Sequence, residues 1–522
     1  MSTFTLSALC AAINTVPPSA APDIKITGIT YDSRNVVPGN AFFATPGVHT
    51  DGHRFISAAI KRGARAVVHS DDLSPEVTSA ARDVFFFQAT DVRKALSAAA
   101  AAYYGNPSQK LRVIGVTGTD GKSTTVFLIY QLLSMIGRNA GFLSTVSMLT
   151  DRQIVKNHYR QSTPESVEIN MLLNQMVENG KEFAVIEATS HGLSEKTSRL
   201  ADIDFDAAVF TNLSHEHLEF HGSVEQYRWD KGNLFRFLAR STRVEHTFGV
   251  LNADDPASSY FTTLTSRPLL RYSVTSADAD LFAGDIVPDS AGNTFTLHTA
   301  GASVPARINL PGAVNVENAL AAVLAVSGAA SVSPQELVPF LPQLESVPGR
   351  MVPVGEDLSF ACIVDYAHTP GSFEKLLPLV RQFTPGRLIV LFGSAGERDV
   401  EKRPMLGEIA ARLTDIIVLA DEDPRGELPQ KILQDVAAGV RNAGAGKVEG
   451  ESVFIIENRS QAIRKAISLA REGDTLLFLG KGHETSIIYA DGPHPWDEAE
   501  AVRDALKEAG YLPGETARSR RT

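Results

Sequence analysis

The stretch Ile114-Gly-Val-Thr-Gly-Thr-Asp-Gly-Lys-Ser-Thr-Thr125 decides how this chain is read. An apolar run ending at Thr117, glycines at 118 and 121, and Lys122, Ser123 and Thr124 opening a helical pattern describe a strand, a tight turn and a helix start. Such a turn presents backbone N–H groups and the positive end of a helix dipole to an anion. Gly118 and Gly121 let the backbone of Thr119 and Asp120 approach phosphate oxygens, Lys122 supplies positive charge, and the Ser123 or Thr124 hydroxyl can reach Mg2+. Val126, Ile129, Leu132, Leu133 and Ile136 recur at helical spacing and supply the helix. The loop departs from G-x-x-x-x-G-K-S/T in one respect: its first glycine belongs at 116, where Val116 stands.

Outward from this loop the pattern is α/β throughout. Upstream, short apolar runs at 41–44 and 64–68 alternate with Gly/Pro/Asp turns and a helical segment at 56–61, which reads as a small α/β domain. Downstream, strand-like runs at 183–187, 207–211, 247–251 and 269–274 are separated by segments long enough for helical crossovers, so a mostly parallel sheet covered by helices is expected. Extra strands are expected within 294–310 and a helix over 314–326. The pattern breaks at Val347-Pro-Gly-Arg350, and runs at 360–364, 388–392, 416–419, 453–456 and 475–479 predict a third, Rossmann-like domain. Its Gly393-Ser-Ala-Gly396 is not G-x-G-x-x-G, so no nicotinamide cofactor is assigned. The boundaries fall at 1–105, 106–347 and 348–522.

Bulk properties narrow the function classes. The 522 residues carry 49 basic and 60 acidic side chains, a formal net charge of -11, which disfavours a nucleic-acid backbone as partner. Two cysteines cannot build a disulfide framework and fit a reducing compartment. There is no 18-residue apolar run, and the first residues lack a basic segment and soon meet Pro17-Pro18, so neither membrane insertion nor a signal peptide is expected. A soluble cytoplasmic monomer follows as the expectation.

Further residues carry chemistry. Glu187 ends the apolar run 183–187, where a sheet of this class holds its ligands, and a carboxylate there suits Mg2+. His215, His217 and His221 lie within seven residues, but without supporting cysteines a zinc site is the weaker reading. Lys231 follows in Trp229-Asp-Lys231; by itself it reads as a solvated surface lysine.

The version T-G-T-x-G-K-S/T-T is that of the Mur ligase family, which the chain resembles over nearly its whole length. Within that family it is most similar to the branch that adds the third peptide residue to UDP-N-acetylmuramoyl-L-Ala-D-Glu in peptidoglycan precursor synthesis. The resemblance implies an ATP-dependent, ADP-forming ligase in which a carboxylate becomes an acyl phosphate that an amine attacks. It implies a UDP-sugar-binding domain at 1–105, an ATP-binding domain at 106–347 and an amino-acid-binding domain at 348–522. It assigns Glu187 to Mg2+ and, through T-N-L-x-x-D-H-L-D-x-H-G, His217 to a second ion, with Glu216 in place of Asp. Lys231 matches a lysine carbamoylated by CO2, which turns an ammonium into an oxygen donor for Mg2+; that reaction needs the neutral amine, hence partial desolvation.

The same resemblance implies ATP contacts from Asn315, Asn318, Arg350 and Asp365. It implies UDP-sugar contacts from Tyr31, Ser33, Val48, His49 and Thr50, and sugar-peptide contacts from Ser162, Thr163, Thr189 and Arg199, with two extra residues between His191 and Arg199. For the incoming amino acid it points to Arg398, Asp423, Pro424, Arg425, Gly480 and Glu484. Relatives that take meso-diaminopimelate usually read D-N-P-R; here Asp423 replaces Asn. Arg425 favours a distal carboxylate and Asp423 an ammonium, so meso-diaminopimelate is slightly preferred over L-lysine or L-ornithine. The alternatives are another Mur-family branch, adding D-Ala-D-Ala or extending folate, and a nucleotide-binding regulatory protein without turnover.

Overall fold

Strand Arg112–Thr117 runs between two parallel neighbours, Phe183–Glu187 on one side and Ala207–Phe210 on the other. Its Val113, Ile114 and Val116 are fully buried, as a β-branched run covered on both faces of a parallel sheet should be. Val116 pairs with Val209 and with Glu187, so position 116 belongs to the strand and the turn begins at Gly118. This is why the expected first glycine is missing. The computed structural model describes the whole chain except residues 1–2, 18–21, 48–49, 80, 160, 214–217, 242, 290, 300, 356–357 and 514–522.

By internal contacts the chain forms two compact units, Met1–Phe282 with Glu317–Leu337, and Ala283–Val316 with Val338–Thr522. In the first unit the central sheet runs in the order 269–273, 248–252, 207–210, 112–117, 183–187, 140–143, 147–149, 155–156. The first six of these strands are parallel and the last two pairings antiparallel. Helix Lys122–Met135 carries the chain from 112–117 toward 140–143, and the chain later crosses from 183–187 to 207–210 on the other side. The connections thus diverge at the carboxyl end of 112–117, where an open α/β sheet leaves its ligand crevice. The same unit holds a smaller sheet of four parallel strands, Gly28–Thr30, Asn40–Phe43, Ala66–His69 and Phe85–Gln88, packed against helix Val92–Tyr103.

The second unit holds a six-stranded sheet in the order 352–353, 361–365, 475–479, 388–392, 416–419, 453–455, parallel except for the first pairing. Alternate residues face opposite cores. Ile363, Val390, Ile417 and Leu477 pack with Phe373, Leu406 and Leu433 of the helices Pro370–Gln382, Lys402–Leu413 and Pro429–Asn442. Val364, Leu391, Val418 and Phe478 pack with Ala462 and Val502 of the helices Arg459–Ser468 and Glu498–Glu508. The period of two with helices on both faces is the doubly wound arrangement. A further antiparallel pair, Gly292–Thr299 with Ala302–Ile308, lies where extra strands are expected. Among the described residues no single helix is long and apolar enough to cross a membrane.

Arg459 is sealed from solvent and fixes the ligand-facing end of the second sheet. It pairs with Glu498 at 2.7 Å, both side chains fully buried, and donates to the carbonyls of Asp421 and Leu479, which follow or end the two strands that flank 388–392. Trp496 donates a further hydrogen bond to Glu498. Removing one partner strands a buried charge, so Glu498→Ala is expected to destabilise the chain by about 3–5 kcal/mol; a chemical denaturation midpoint measures it.

Candidate active site

The turn 118–121 is shaped by crowding. Gly118 has φ +150° and Gly121 φ +81°. A Cβ at 118 would come within 1.9 Å of Thr211 Oγ1, and one at 121 within 2.3 Å of Asn318 Oδ1. The turn is braced from Ala207–Phe210's end: Thr119 N–H donates to the Asn212 carbonyl at 2.8 Å, Asp120 N–H to Asn212 Oδ1 at 2.9 Å, and Thr211 Oγ1 to the Asp120 carbonyl at 2.7 Å. Gly121 caps the helix Lys122–Met135, so the first N–H groups of that helix face outward from the strand end, the anion-binding arrangement anticipated for this loop. Lys122 Nζ donates to the Thr119 carbonyl at 2.7 Å, which holds its ammonium over the turn. Asn318, on helix Val314–Ala330, accepts from Thr125 Oγ1 at 3.3 Å and so packs on the loop from behind.

Two of the metal-ligand candidates meet this same loop. Glu187, the last residue of its strand and 3% exposed, accepts from Ser123 Oγ at 2.8 Å, from Thr145 N–H at 2.8 Å and from Thr145 Oγ1 at 2.8 Å. Among the described residues no Lys or Arg pairs with it. A buried carboxylate bonded to the loop hydroxyl offers the hard oxygen donors that Mg2+ takes. Lys231, 1% exposed on helix Val224–Arg240, donates to the Gly118 carbonyl, and its Nζ lies 4.3 Å from the Tyr227 ring centre. Tyr227 OH in turn lies 3.2 Å from Thr119 Oγ1. An ammonium cannot bind a cation; a carbamate at this buried nitrogen could. Lys231 is not the solvated surface lysine that its local sequence suggests. His217 lies outside the described residues.

The sugar-peptide candidates gather beside Glu187. Thr163 Oγ1 donates to the Glu187 carbonyl at 3.0 Å and lies 2.8 Å from Thr189 Oγ1, with Ser162 preceding it in the chain. Arg199, buried, donates to the Thr163 carbonyl at 3.0 Å and pairs with Glu165 at 2.8 Å. Three residues beyond Glu165, Glu168 accepts the Tyr31 hydroxyl at 2.8 Å, and burial together with Glu168 pushes the Tyr31 phenol up from its ordinary pKa. Tyr31 and Arg199 are therefore anchored at one helix start, Ser166–Glu178. Ser33 and Thr50 sit on the turns after strands 28–30 and 40–43, at the carboxyl ends of the small sheet. Val48 and His49 lie outside the described residues. Asp51, His53 and Asp71 also cluster, but His53 Nδ1 is on Asp51 and its Nε2 accepts from the Ser70 and Asp71 N–H groups, so neither ring nitrogen is left for an ion.

In the second unit Asp365 ends the strand Ala361–Asp365 and accepts from the N–H groups of Met351 and Ala367, both at 2.8 Å. Burial raises its pKa against the pull of Arg350, whose guanidinium lies 5.5 Å from the Tyr366 ring centre. Asn315 donates to the Pro311 carbonyl at 2.7 Å. The amino-acid candidates form a cluster of their own. Asp423 Oδ1 is 2.8 Å from Lys481 Nζ and accepts the Ile488 N–H at 2.9 Å; Lys481 reaches Glu484 as well, at 2.5 Å. Gly396 N–H bonds to the Asp423 carbonyl, and Gly480 sits so close to Glu422 that a Cβ would lie 2.9 Å from its Oε2. Pro424 is buried, whereas Arg398 stands exposed. Arg425 and Glu397 both hold left-handed backbone, φ +55° and +54°.

This modifies the electrostatic reading of Asp423: a fully buried lysine, shared with Glu484, screens its charge and weakens both its repulsion of a distal carboxylate and its attraction for an ammonium. Arg425, with a buried Nε that makes no hydrogen bond, keeps its pull on an anion. Sequence reasoning passed over Lys481, although it lies between the named Gly480 and Glu484, because nothing local says that it reaches across to residue 423. It also missed Glu422, a buried carboxylate whose Oε2 has no hydrogen-bond partner among the described residues and whose pKa burial raises. Thr145, Glu165 and the Thr211-Asn212 brace were missed for the same reason.

A glycine turn at a sheet end, a buried carboxylate on its hydroxyl and a buried lysine on its carbonyl form a site suited to phosphoryl transfer, and the comparisons give its family. The chain belongs to the Mur ligase family: residues 116–326 match the Mur ligase middle domain, 349–482 the Mur ligase glutamate ligase domain, and 25–104 the Mur ligase family catalytic domain. It is 46% identical to the UDP-N-acetylmuramyl-tripeptide synthetase of Borreliella afzelii (strain PKo), over 93% of this chain and 94% of that one. It is 39% identical to the UDP-N-acetylmuramoyl-L-alanyl-D-glutamate–2,6-diaminopimelate ligase of Geobacillus thermodenitrificans (strain NG80-2), over 93% and 96%. A solved structure of a ligase of the latter name superposes with a TM-score of 0.70 at 29% identity, covering 98% of this chain and all of that one.

Gly118→Ala is expected to cost about 1–3 kcal/mol through backbone strain and to abolish measurable nucleotide binding; denaturation and titration calorimetry read the two effects. Burial and the nearby Glu457 push Asp421 up to about 6 from an ordinary 3.8. Because the folded value is the higher one, the group favours the fold fully below pH 3.8, and that contribution is lost as pH rises through about 6. At neutral pH the rise amounts to about 3 kcal/mol. Asp421→Asn should therefore raise Tm relative to the parent above pH 6 and much less at pH 4, as thermal melts across that range will show.

Proposed function

We propose that the chain is an ATP-dependent amide ligase of the MurE type, joining a diamino acid to UDP-N-acetylmuramoyl-L-Ala-D-Glu. The observation that carries this reading is the convergence of Glu187, through Ser123, and Lys231, through Gly118, on one nucleotide loop. Members of the family are ATP-dependent ligases. Loop N–H groups and Lys122 hold the β- and γ-phosphates, with Asn318 behind them, while Arg350, Asp365 and Asn315 serve the remainder of the nucleotide. Ser123 or Thr124, Glu187, His217 and a carbamoylated Lys231 would hold Mg2+, which supplies Lewis-acid neutralisation of charge on the transferring phosphoryl group.

Thr163, Thr189 and Arg199 orient the dipeptide so that the D-glutamate carboxylate oxygen attacks the γ-phosphorus and ADP leaves. The amino acid's amine then attacks the acyl carbon, gives up a proton, and phosphate leaves. Tyr31, Ser33, Val48, His49 and Thr50 are the residues for the UDP end. With Asp423 screened by Lys481, Arg425 makes meso-diaminopimelate the preferred third residue. The buried, unpartnered Glu422 oxygen is the observation that favours L-lysine or L-ornithine instead. We assign the UDP-sugar, ATP and amino-acid roles to 1–105, 106–347 and 348–522, in a monomeric cytoplasmic enzyme.

Phosphate release with the UDP-muramoyl-dipeptide and each of the three amino acids in parallel tests the reading: one should support turnover far above the others, and turnover with none removes the assignment. Lys231→Ala should lose ligation, with short-chain carboxylic acids restoring part of it; full activity in that variant would refute the carbamate.

A further inference from the structure

A second buried chain of side chains lies behind the loop. His221 Nδ1 is 2.7 Å from Asp230 Oδ2, and His221 Nε2 is 3.0 Å from Ser190 Oγ. Asp230 Oδ1 accepts from Gln226 Nε2 at 3.2 Å. Since a carboxylate only accepts, Nδ1–H donates to Asp230, and Nε2 shares a hydrogen bond with the serine hydroxyl. The order Ser, His, Asp is that of a hydrolase triad, but the His221 and Asp230 side chains are 0% and 1% exposed and Ser190 is 2% exposed. No substrate reaches this serine, so covalent chemistry is excluded.

Position in the chain gives the trio its meaning. Ser190 stands three residues after Glu187, at the start of the short helix Ser190–Leu193 that Thr189 caps. Asp230 immediately precedes Lys231. The His221 ring also packs 5.0 Å from the Tyr227 ring, the ring that lies under Lys231 Nζ. Strand 183–187 and helix Val224–Arg240 come from distant parts of the sequence, and a carboxylate and a carbamate can share cations only if these two elements keep a fixed spacing.

We propose that Ser190, His221 and Asp230 form a strut that sets the position of Lys231 relative to Glu187, which makes His221 a positioning residue for the metal-binding carbamate. This rests on the ligase reading given above. Groups that orient ligands in this way typically change metal affinity or activity by about 10- to 100-fold when removed. The test compares the parent with H221A and H221N by two readouts: the 13C carbamate resonance after equilibration with 13C-bicarbonate, and the Mg2+ concentration for half-maximal ligation. H221A should lose most of the carbamate signal and need at least about tenfold more Mg2+, with KM for the UDP-sugar unchanged; H221N, whose amide can still donate to Asp230, should recover much of the signal. S190A, which deletes one hydroxyl, carries the same comparison if H221A does not fold. A parent-like carbamate signal and Mg2+ dependence in the variants would overturn the strut and leave the ligase reading intact. A parent chain with neither ligation nor carbamate would overturn both.

Discussion

The turn at 118–121 has no room for a side chain at Gly118 or Gly121, and the elements around the site are arranged about that crowding. Thr211 and Asn212 press on it from one neighbouring strand, Asn318 from a helix behind, and Gly118 gives its carbonyl to Lys231. Each contact removes freedom from the backbone that must face phosphate, which is preorganisation in the physical sense: the donors are aimed before any charge arrives. A sheet whose connections diverge at the same strand end supplies the opening into which those donors point.

Buried charge is handled in two ways. Arg459 with Glu498, and Lys481 with Asp423 and Glu484, form ion pairs that hold separate strands and loops together. Glu187 instead is surrounded by hydroxyl and N–H donors, which bond its oxygens without pairing it to a basic side chain. The first pattern builds scaffold, and the second leaves charge for a cation.

Much of this was legible in the sequence because it is local. Alternating apolar runs placed the sheets, the glycines and Lys122 placed a turn at a strand end, and strand-end logic placed Glu187 beside it; local reasoning alone had put Lys231 on the surface, whereas it is buried. What escaped was long-range pairing. Lys481 reaches Asp423 across 58 positions and Ser190 reaches His221 across 31, and no periodicity encodes such contacts. Val116 was legible only as an anomaly until its strand pairing explained it.

The left-handed backbone at Arg425 bears on any attempt to redesign the amino-acid pocket. Asparagine and aspartate adopt that conformation more readily than most residues and glycine without strain, whereas valine, isoleucine and threonine resist it. A mutational library at this position is thus filtered by main-chain geometry before selectivity is ever sampled. Variants lost from such a library would report on foldability, and their loss says nothing about which amino acid fits.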